Sequence, residues 1–298
     1  MTTLTALAPA KVNLFLHVGP VDGEGYHPVC SLVAFADIGD RVSARPADRT
    51  TLSVAGEFGR GLAGDDNLVL RALSALERET GGVSVPLELT LDKRLPIAAG
   101  LGGGSSDAGA ALRLAAALTP GGVARPALDA AAHVVGADGP MCLSPRPAWA
   151  EGRGERLTPE PRLPALHAVL ANPRAPSSTG AVYRAYDAGV VAGADRPADP
   201  ADWSPSGVIA WLAAQRNDLE APALSLQPAI APVMQALAAT EGVGLVRMSG
   251  SGATVFALYA DPARADAAAA ALSGAHEAWW VRRAVLGDPE ADFGAALL

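Results

Sequence analysis

The segment Leu95 to Arg113 reads LPIAAGLGGGSSDAGAALR, and it restricts the architecture more than any other part of the chain. Gly100, Gly102, Gly103 and Gly104 lead into Ser105, Ser106 and Asp107, and an alanine-rich helix is predicted from Ser106 to Leu118. Glycines adopt backbone conformations closed to other residues and let a ligand approach closely. A helix that begins at the end of such a loop presents unpaired N–H groups, and its dipole adds roughly half a positive charge. That arrangement binds phosphate. No Gly-Lys-Ser/Thr ends the loop, so it is not a P-loop. Its surroundings also lack the βαβ unit and distal acid of a dinucleotide fingerprint. A flexible turn before a capped helix is the simpler alternative, with Asp107 as a natural cap. The consecutive glycines and the paired serines at a helix start favour the anion site.

The chain of 298 residues has a formal net charge of -8. Its length suggests two domains. The acidic balance argues against a general nucleic-acid binder, which needs a basic surface. Phosphorylated ligands would have to be held locally, by helix N-termini, backbone amides and a few placed cations. Met1 to Ala10 has neither the basic nor the apolar region of a signal peptide. No apolar run is long enough for a membrane span. Cys30 and Cys142 lack metal-ligand spacing and are expected to be separate buried thiols. His17, His27, His133, His167 and His276 form no metal pattern. Of the 23 basic residues only Lys11 and Lys93 are lysines. In so arginine-biased a chain, they mark places where a guanidinium would not serve.

Hydrophobic patterning predicts strands at Val12–Val18, Ser31–Phe35, Arg41–Ala44, Thr51–Ala55 and Leu87–Leu91. Asp37 to Asp40 is expected to join the second and third. A helix is predicted over Asp66–Glu79, capped by Asp65 or Asp66, with Leu68, Leu70, Leu73 and Leu76 inward. Another covers Pro126–Val135. Thr158–Pro164 (TPEPRLP) reads as a linker, since proline stiffens a chain and keeps it out of flanking elements. Beyond it, strands are predicted at His167–Ala171, Leu245–Met248, Thr254–Tyr259 and Trp279–Val285. Helices are predicted at Thr179–Ala188, Ser206–Ala214, Ala231–Thr240 and Pro262–Leu272. Gly189–Asp202 is a polar loop. Irregular alternation in both halves indicates α+β domains rather than a doubly wound sheet.

Several segments, in chain order, resemble the motifs of the GHMP kinases, the family of galactokinase, homoserine kinase, mevalonate kinase and phosphomevalonate kinase. They are Pro9–Leu16 (PAKVNLFL), Gly25-Tyr26-His27, Asp66–Leu70 (DNLVL), the glycine-rich loop, Gly136–Pro140 (GADGP), Asn217–Glu220 (NDLE) and Arg247–Ala253 (RMSGSGA). The GYH element and the GLGGGSSD loop are similar to the branch whose acceptor is a cytidine diphosphate-linked methylerythritol.

The resemblance implies an ATP-binding domain over 1–160, like ribosomal protein S5, and a ferredoxin-like domain over 161–298. The active site would lie in the cleft between them. It implies transfer of the ATP γ-phosphoryl to a 2-hydroxyl in the non-mevalonate route to isoprenoid precursors, with Mg2+. It further implies a cytoplasmic enzyme, a monomer or weak homodimer, with neither nucleic-acid nor membrane partner.

By the same resemblance Asp138 is the general base and Lys11 its cationic partner. ATP would be held by Pro96, Gly100, Leu101, Gly102, Gly103, Gly104, Ser105 and Ser106, with Asn67, Leu68, Val69 and Lys93 about the adenine. Asn13, Tyr26, His27, Thr179 and Tyr183 would hold the acceptor, with Tyr26 and Tyr183 sandwiching cytosine. The Ser249–Gly252 turn would close on the phosphates. The metal ligands are undefined, Ser106 being one candidate. Gly139 departs from the family's bulkier residue and is expected to loosen Asp138, while Ala98 and Ala99 replace glycines tolerably. The alternatives are another small-alcohol kinase of the family and a non-catalytic sensor on the same fold. The sensor would be expected to lack Lys11 or Asp138.

Overall fold

A computed structural model of the chain describes residues 2–62, 64, 66–189 and 192–289. Its first half runs β1 (Leu4–Asn13), β2 (His17–Val18), β3 (Val29–Pro46), β4 (Thr51–Ala55), α1 (Leu68–Glu79), β5 (Leu87–Asp92), α2 (Gly103–Leu118), α3 (Arg125–His133), α4 (Gly139–Leu143), β6 (Ala148–Gly152) and β7 (Arg156–Pro159). The second runs β8 (Leu166–Asn172), α5 (Thr179–Asp187), α6 (Pro205–Ala213), α7 (Glu220–Leu226), α8 (Ile230–Ala238), β9 (Val243–Met248), β10 (Val255–Tyr259), α9 (Pro262–Ala275) and β11 (Trp280–Gly287).

The two strands expected on either side of Asp37–Asp40 are one 18-residue strand, β3. Turn formers sit at its middle, but their partners hold them extended. Asp40 Oδ1 accepts the backbone N–H groups of Arg94 and Leu95 at 2.5 and 2.8 Å. Gly39 lies so close to β1 that a β-carbon would overlap the Ala8 carbonyl. β3 then pairs antiparallel with β1, β2, β5, β6 and β11. The main path of the sheet is β4-β5-β3-β11-β8-β10-β9, and within it β4 and β5 run parallel.

Helices cover one face in each half. Val69, Leu73 and Leu76 of α1 pack with Ala108, Ala111 and Leu112 of α2 over Val42, Leu89 and Leu91. In the second half α5, α8 and α9 bring Val182, Val233, Leu237 and Leu272 onto Val169, Val255 and Ala257. A third cluster, with Phe15, Trp149, Leu170, Phe256 and Trp280, joins the halves. Each fully buried large side chain contributes about 1.5–3 kcal/mol over its exposed state. Alanine richness serves close approach: at Gly109 of α2 even a β-carbon would overlap the carbonyl of Cys142.

Several predicted boundaries shift. The cap of α1 is Asn67, whose side chain accepts the Val69 N–H. Asp66 does not cap, and Asp65 lies outside the described residues. The buried face of α1 centres on Val69, Ala72, Leu73 and Leu76, leaving Leu70 at its margin. β1 begins at Leu4, and its register slips between Pro9 and Lys11. The linker is shorter than its prolines suggest, because Thr158 and Pro159 pair with Trp149 and Ala148. The short elements α4, β6, β7 and α7 carry little periodicity and went unpredicted. Both cysteines are buried and free. Burial, the largest cause, pushes the Cys30 and Cys142 thiols up to about 11 and 12, so neither is a ready nucleophile. Among the described residues no helix is long and apolar enough to cross a membrane.

Candidate active site

The glycine-rich loop, β1, the start of α4 and the first turn of α5 enclose a cleft of about 800 Å³. Two left-handed glycines, Gly100 (φ 74°) and Gly102 (φ 61°), deliver the chain into α2. Gly102 is the N-cap, without a side-chain cap, and Ser106 N–H makes the first bond back to its carbonyl at 2.9 Å. The N–H groups of Gly103, Gly104 and Ser105 therefore precede the intrahelical ladder and line the cleft. Each glycine packs against a side chain that the sequence flagged. A β-carbon would stand 3.2 Å from Lys11 at Gly102, 3.1 Å from Lys93 Nζ at Gly103 and 3.0 Å from Leu68 at Gly104. Ala98 takes the left-handed φ of 50°, which costs about 1–2 kcal/mol. Ser177 N–H on the Ala98 carbonyl and Thr254 N–H on the Ala99 carbonyl hold this approach to the loop.

Beneath the loop Lys93 Nζ donates to Asp107 Oδ2 at 2.6 Å and also to Asp40 Oδ2. Lys93 is 4% exposed and Asp107 3%. Burial raises the Asp107 carboxyl to about 8, with Asp40 adding to the shift and Lys93 opposing it. For Lys93 burial works to lower the pKa, and the two carboxylates outweigh it, so it stands raised. Asp107 is therefore the buried partner of Lys93 and not a helix cap. Two other expectations fail on the same geometry. The Ser106 hydroxyl donates to the Pro9 carbonyl and is fully buried, so it does not face the cleft as a metal ligand. Val69 is core, while Asn67 and Leu68 line the cleft. Pro96 and Leu101 line it too.

Beside the loop Lys11 Nζ donates to Asp138 Oδ1 at 3.0 Å. The bulge in β1 turns Lys11 inward, and its N–H donates to the Leu101 carbonyl, which ties it to the loop. The Lys11 side chain is 8% exposed and that of Asp138 36%, so the carboxylate opens to the cleft while the ammonium backs it. Asp138 stands at the N-cap of α4 without capping it. Gly139, the first residue of α4, follows Asp138. A β-carbon there would overlap the Ala132 carbonyl, so the glycine lets α4 dock on α3.

The acceptor residues are only partly gathered. Asn13 lines the cleft, with its Nδ2 donating to Ser31 Oγ at 2.8 Å. Thr179, the first residue of α5 after the cap Ser178, shares a 2.8 Å hydrogen bond with Ser251. Tyr183 also lines the cleft, and burial pushes its hydroxyl up to about 12. Its ring lies 4.9 Å from that of His27, centre to centre, and His27 Nε2 shares a 2.7 Å hydrogen bond with Asp187. Tyr26 lies apart from this pair. It is 53% exposed, with the guanidinium of Arg153 3.9 Å over its ring.

Sequence reasoning singled out no individual role for Ser249, Asn217 or Arg247, and none for Arg153. Ser249 Oγ donates to the Gly100 carbonyl at 2.8 Å, and Asn217 Nδ2 donates to the carbonyls of Met248 and Gly250. Together they press the Ser249–Gly252 turn against the glycine loop. Arg247 donates to the carbonyls of Leu14, Leu212 and Gln215. Its place in the RMSGSGA segment is thus that of a buried brace between the halves.

A helix-start anion cradle facing a lysine-backed carboxylate defines a small-molecule kinase of the GHMP type. The sequence pattern described as the GHMP kinases N terminal domain matches residues 67–144, and the GHMP kinases C terminal pattern matches 209–278. The 4-diphosphocytidyl-2-C-methyl-D-erythritol kinase of Caulobacter vibrioides (strain NA1000 / CB15N) is 56% identical over 284 residues, 94% of this chain and 98% of that protein. A crystal structure of 4-(cytidine 5'-diphospho)-2C-methyl-D-erythritol kinase superposes with TM-score 0.76 at 36% identity, covering 95% of this chain and 99% of that one. A homoserine kinase from Cytophaga hutchinsonii, 19% identical, shares the fold with TM-score 0.69 over 97% of this chain and 96% of that one. The chain belongs to the 4-diphosphocytidyl-2-C-methyl-D-erythritol kinase family of the GHMP kinases.

Proposed function

We propose that the cleft transfers the γ-phosphoryl of ATP to the 2-hydroxyl of 4-diphosphocytidyl-2-C-methyl-D-erythritol, a step on the non-mevalonate route to isoprenoid precursors, in the cytoplasm. The observation that carries this reading is the Lys11–Asp138 pair, held at 3.0 Å against a loop of open helix-start N–H groups. An alcohol is a poor nucleophile until its proton has somewhere to go. Asp138 accepts that proton as the new O–P bond forms. Lys11, 3.0 Å from that carboxylate, stabilises charge on the reacting oxygens. The N–H groups of Gly103, Gly104 and Ser105 hold the phosphates of ATP, reinforced by the α2 dipole.

Among the described residues no cluster of three acidic, His or Cys side chains could hold a metal by itself. Mg2+ bound mainly through substrate phosphates needs only one or two protein oxygens. Ser105 and Asp138, both lining the cleft, fit that demand. Mg2+ there would neutralise charge on the phosphates in transfer.

Leu68 and Asn67 form the adenine side, and Asn13, Thr179 and Tyr183 the acceptor side, with His27 against the Tyr183 ring and Tyr26 at its exposed rim. We place the domain division between residues 160 and 161, after β7. ATP consumption measured against the cytidyl compound, methylerythritol phosphate, homoserine, mevalonate and galactose tests the reading. Turnover with the cytidyl compound alone is expected. Turnover only with another alcohol would overturn the acceptor and leave the chemistry.

A further inference from the structure

The loop that follows β4 borders the cleft, where Gly61, Leu62 and Gly64 line it beside Asn67 and Leu68. Asn67 Nδ2 donates to the Leu62 carbonyl at 2.9 Å, which joins the far end of the loop to the cap of α1. The near end turns against the end of β5. Gly56 takes a left-handed φ of 90°, where a β-carbon would overlap the Lys93 backbone, and Phe58 N–H donates to the Lys93 carbonyl at 3.0 Å. Both ends are thus held by the first half.

Glu57 reaches the other way. Its Oε1 accepts a hydrogen bond from Arg174 Nη2, and its Oε2 accepts one from Arg282 Nη2 at 3.4 Å. Arg174 follows β8 and Arg282 lies on β11, so one carboxylate holds two guanidiniums of the second half. The Arg174 guanidinium also lies 5.2 Å over the Phe58 ring, and Phe58 packs on the core cluster that joins the halves. The bend that aims Arg174 is left-handed, with φ 58°, a conformation unfavourable for a residue with a β-carbon. Asn172, 1% exposed, holds that bend by accepting the Arg174 N–H at 2.7 Å. Three residues further on, Ser177 N–H donates to the Ala98 carbonyl and the Ser177 hydroxyl to the Ser251 carbonyl. The stretch from Arg174 to Ser177 therefore touches the loop after β4, the approach to the glycine loop and the Ser249–Gly252 turn. An isolated exposed ion pair contributes little, whereas a carboxylate shared by two guanidiniums forms a network that fixes geometry.

We infer that Glu57 is a positioning residue for the nucleotide: its pairs with Arg174 and Arg282 hold the loop after β4 against the second half and so set the width of the base side of the cleft. The inference rests on the functional reading above, which places adenine on that side.

Glu57→Gln, Arg174→Asn and the double variant test it, asparagine being a residue that tolerates the left-handed backbone. Calorimetry gives the Kd of a non-hydrolysable ATP analogue, and steady-state assays give kcat, the acceptor KM and inhibition by inorganic tripolyphosphate. Each single variant should weaken the analogue about three- to tenfold. The double variant should weaken it no more than Glu57→Gln alone, because the two side chains act through one contact. Tripolyphosphate, which has no base, should inhibit every form alike, and kcat and the acceptor KM should stay near wild type. An unchanged analogue Kd in Glu57→Gln overturns the inference even if the melting temperature falls, since the pairs would then support only the fold. Additive losses in the double variant overturn it too, as does an equal weakening of tripolyphosphate, which would move the effect to the glycine loop. Failure of the wild type to bind the ATP analogue overturns the functional reading itself, a result visible before any variant is made.

Discussion

Lys11 and Asp138 stand 127 residues apart in sequence, and their side chains meet at 3.0 Å. Lys11 comes from the bulged end of β1, and Asp138 from the turn that begins α4. The glycine loop fastens Lys11, since Leu101 accepts its N–H and Gly102 packs on its side chain, and Asp138 meets the loop through Lys11. The carboxylate and the glycine loop are therefore joined through one lysine.

If Asp138 takes the acceptor's proton, Asp138→Asn should lower kcat about 10²- to 10⁴-fold while the ATP KM changes little. Lys11→Met should lose a comparable amount, and the double variant little more than either single one, because the pair acts together. Rapid-quench measurement of the phosphoryl-transfer step checks this. A variant of Asp138 that transfers phosphate at the wild-type rate would remove it as the base.

Gly139 decides whether α4 can dock. Gly139→Val places a branched side chain against the Ala132 carbonyl, and such overpacking costs about 1–3 kcal/mol. A melting temperature lowered by several degrees is expected, together with a loss in kcat as Asp138 is displaced. An unchanged melting curve would show that α3 and α4 part easily.

Asp107 supplies a pH signature. Its folded carboxyl is raised to about 8, first through burial, then through Asp40, against the opposing charge of Lys93. Unfolded aspartate titrates near about 3.9. Between these values the folded chain holds a proton that the unfolded chain has released. The contribution to stability is therefore greatest at low pH and is lost as pH rises from about 4 towards about 8. Asp107→Asn removes this slope. Denaturant unfolding at a series of pH values should show the variant gaining on the wild type as the solution becomes alkaline. Parallel curves would contradict the assignment.

Arg247 is 6% exposed and serves three carbonyl acceptors contributed by β1's continuation and the end of α6. Arg247→Ala strands them and should destabilise the fold by about 3 kcal/mol or more. Arg247→Lys recovers only part, because an ammonium cannot fork to three separated oxygens. Chemical unfolding midpoints measure both.

The sequence disclosed what local pattern and composition encode. Thr51–Ala55 is a strand, and Pro262 opens a helix as expected. The two rare lysines both reach the cleft. Residues whose roles depend on distant partners were harder to read. Asp107 looks like a cap from its neighbours, yet Lys93 draws it inward. Ser106 looks like a ligand, yet the Pro9 carbonyl takes its hydroxyl. Val69 and Leu68 are adjacent and apolar, and only the docking of α1 on α2 decides which enters the core. Asp37 to Asp40 spells a turn until Arg94 and Leu95 occupy the Asp40 carboxylate. Arg153 had no local signal, being one arginine among many.

The pairing of β11 with β3 bears on how the molecule is made. Leu286 lies opposite Ala36 and Gly287 opposite Phe35, in the stretch of β3 between its pairings with β6 and β5. Val285 N–H also reaches Asp37 Oδ1 at 2.8 Å. While the chain emerges from the ribosome, that stretch of edge stays bare until residues 286 and 287, some 250 positions after it, have been translated. Contacts so distant in sequence form slowly, and an open strand edge invites pairing with other chains in the meantime. Residues 1–160 expressed alone would carry the glycine-rich loop and the Lys11–Asp138 pair with that edge exposed, so they should aggregate where the 298-residue chain stays dispersed.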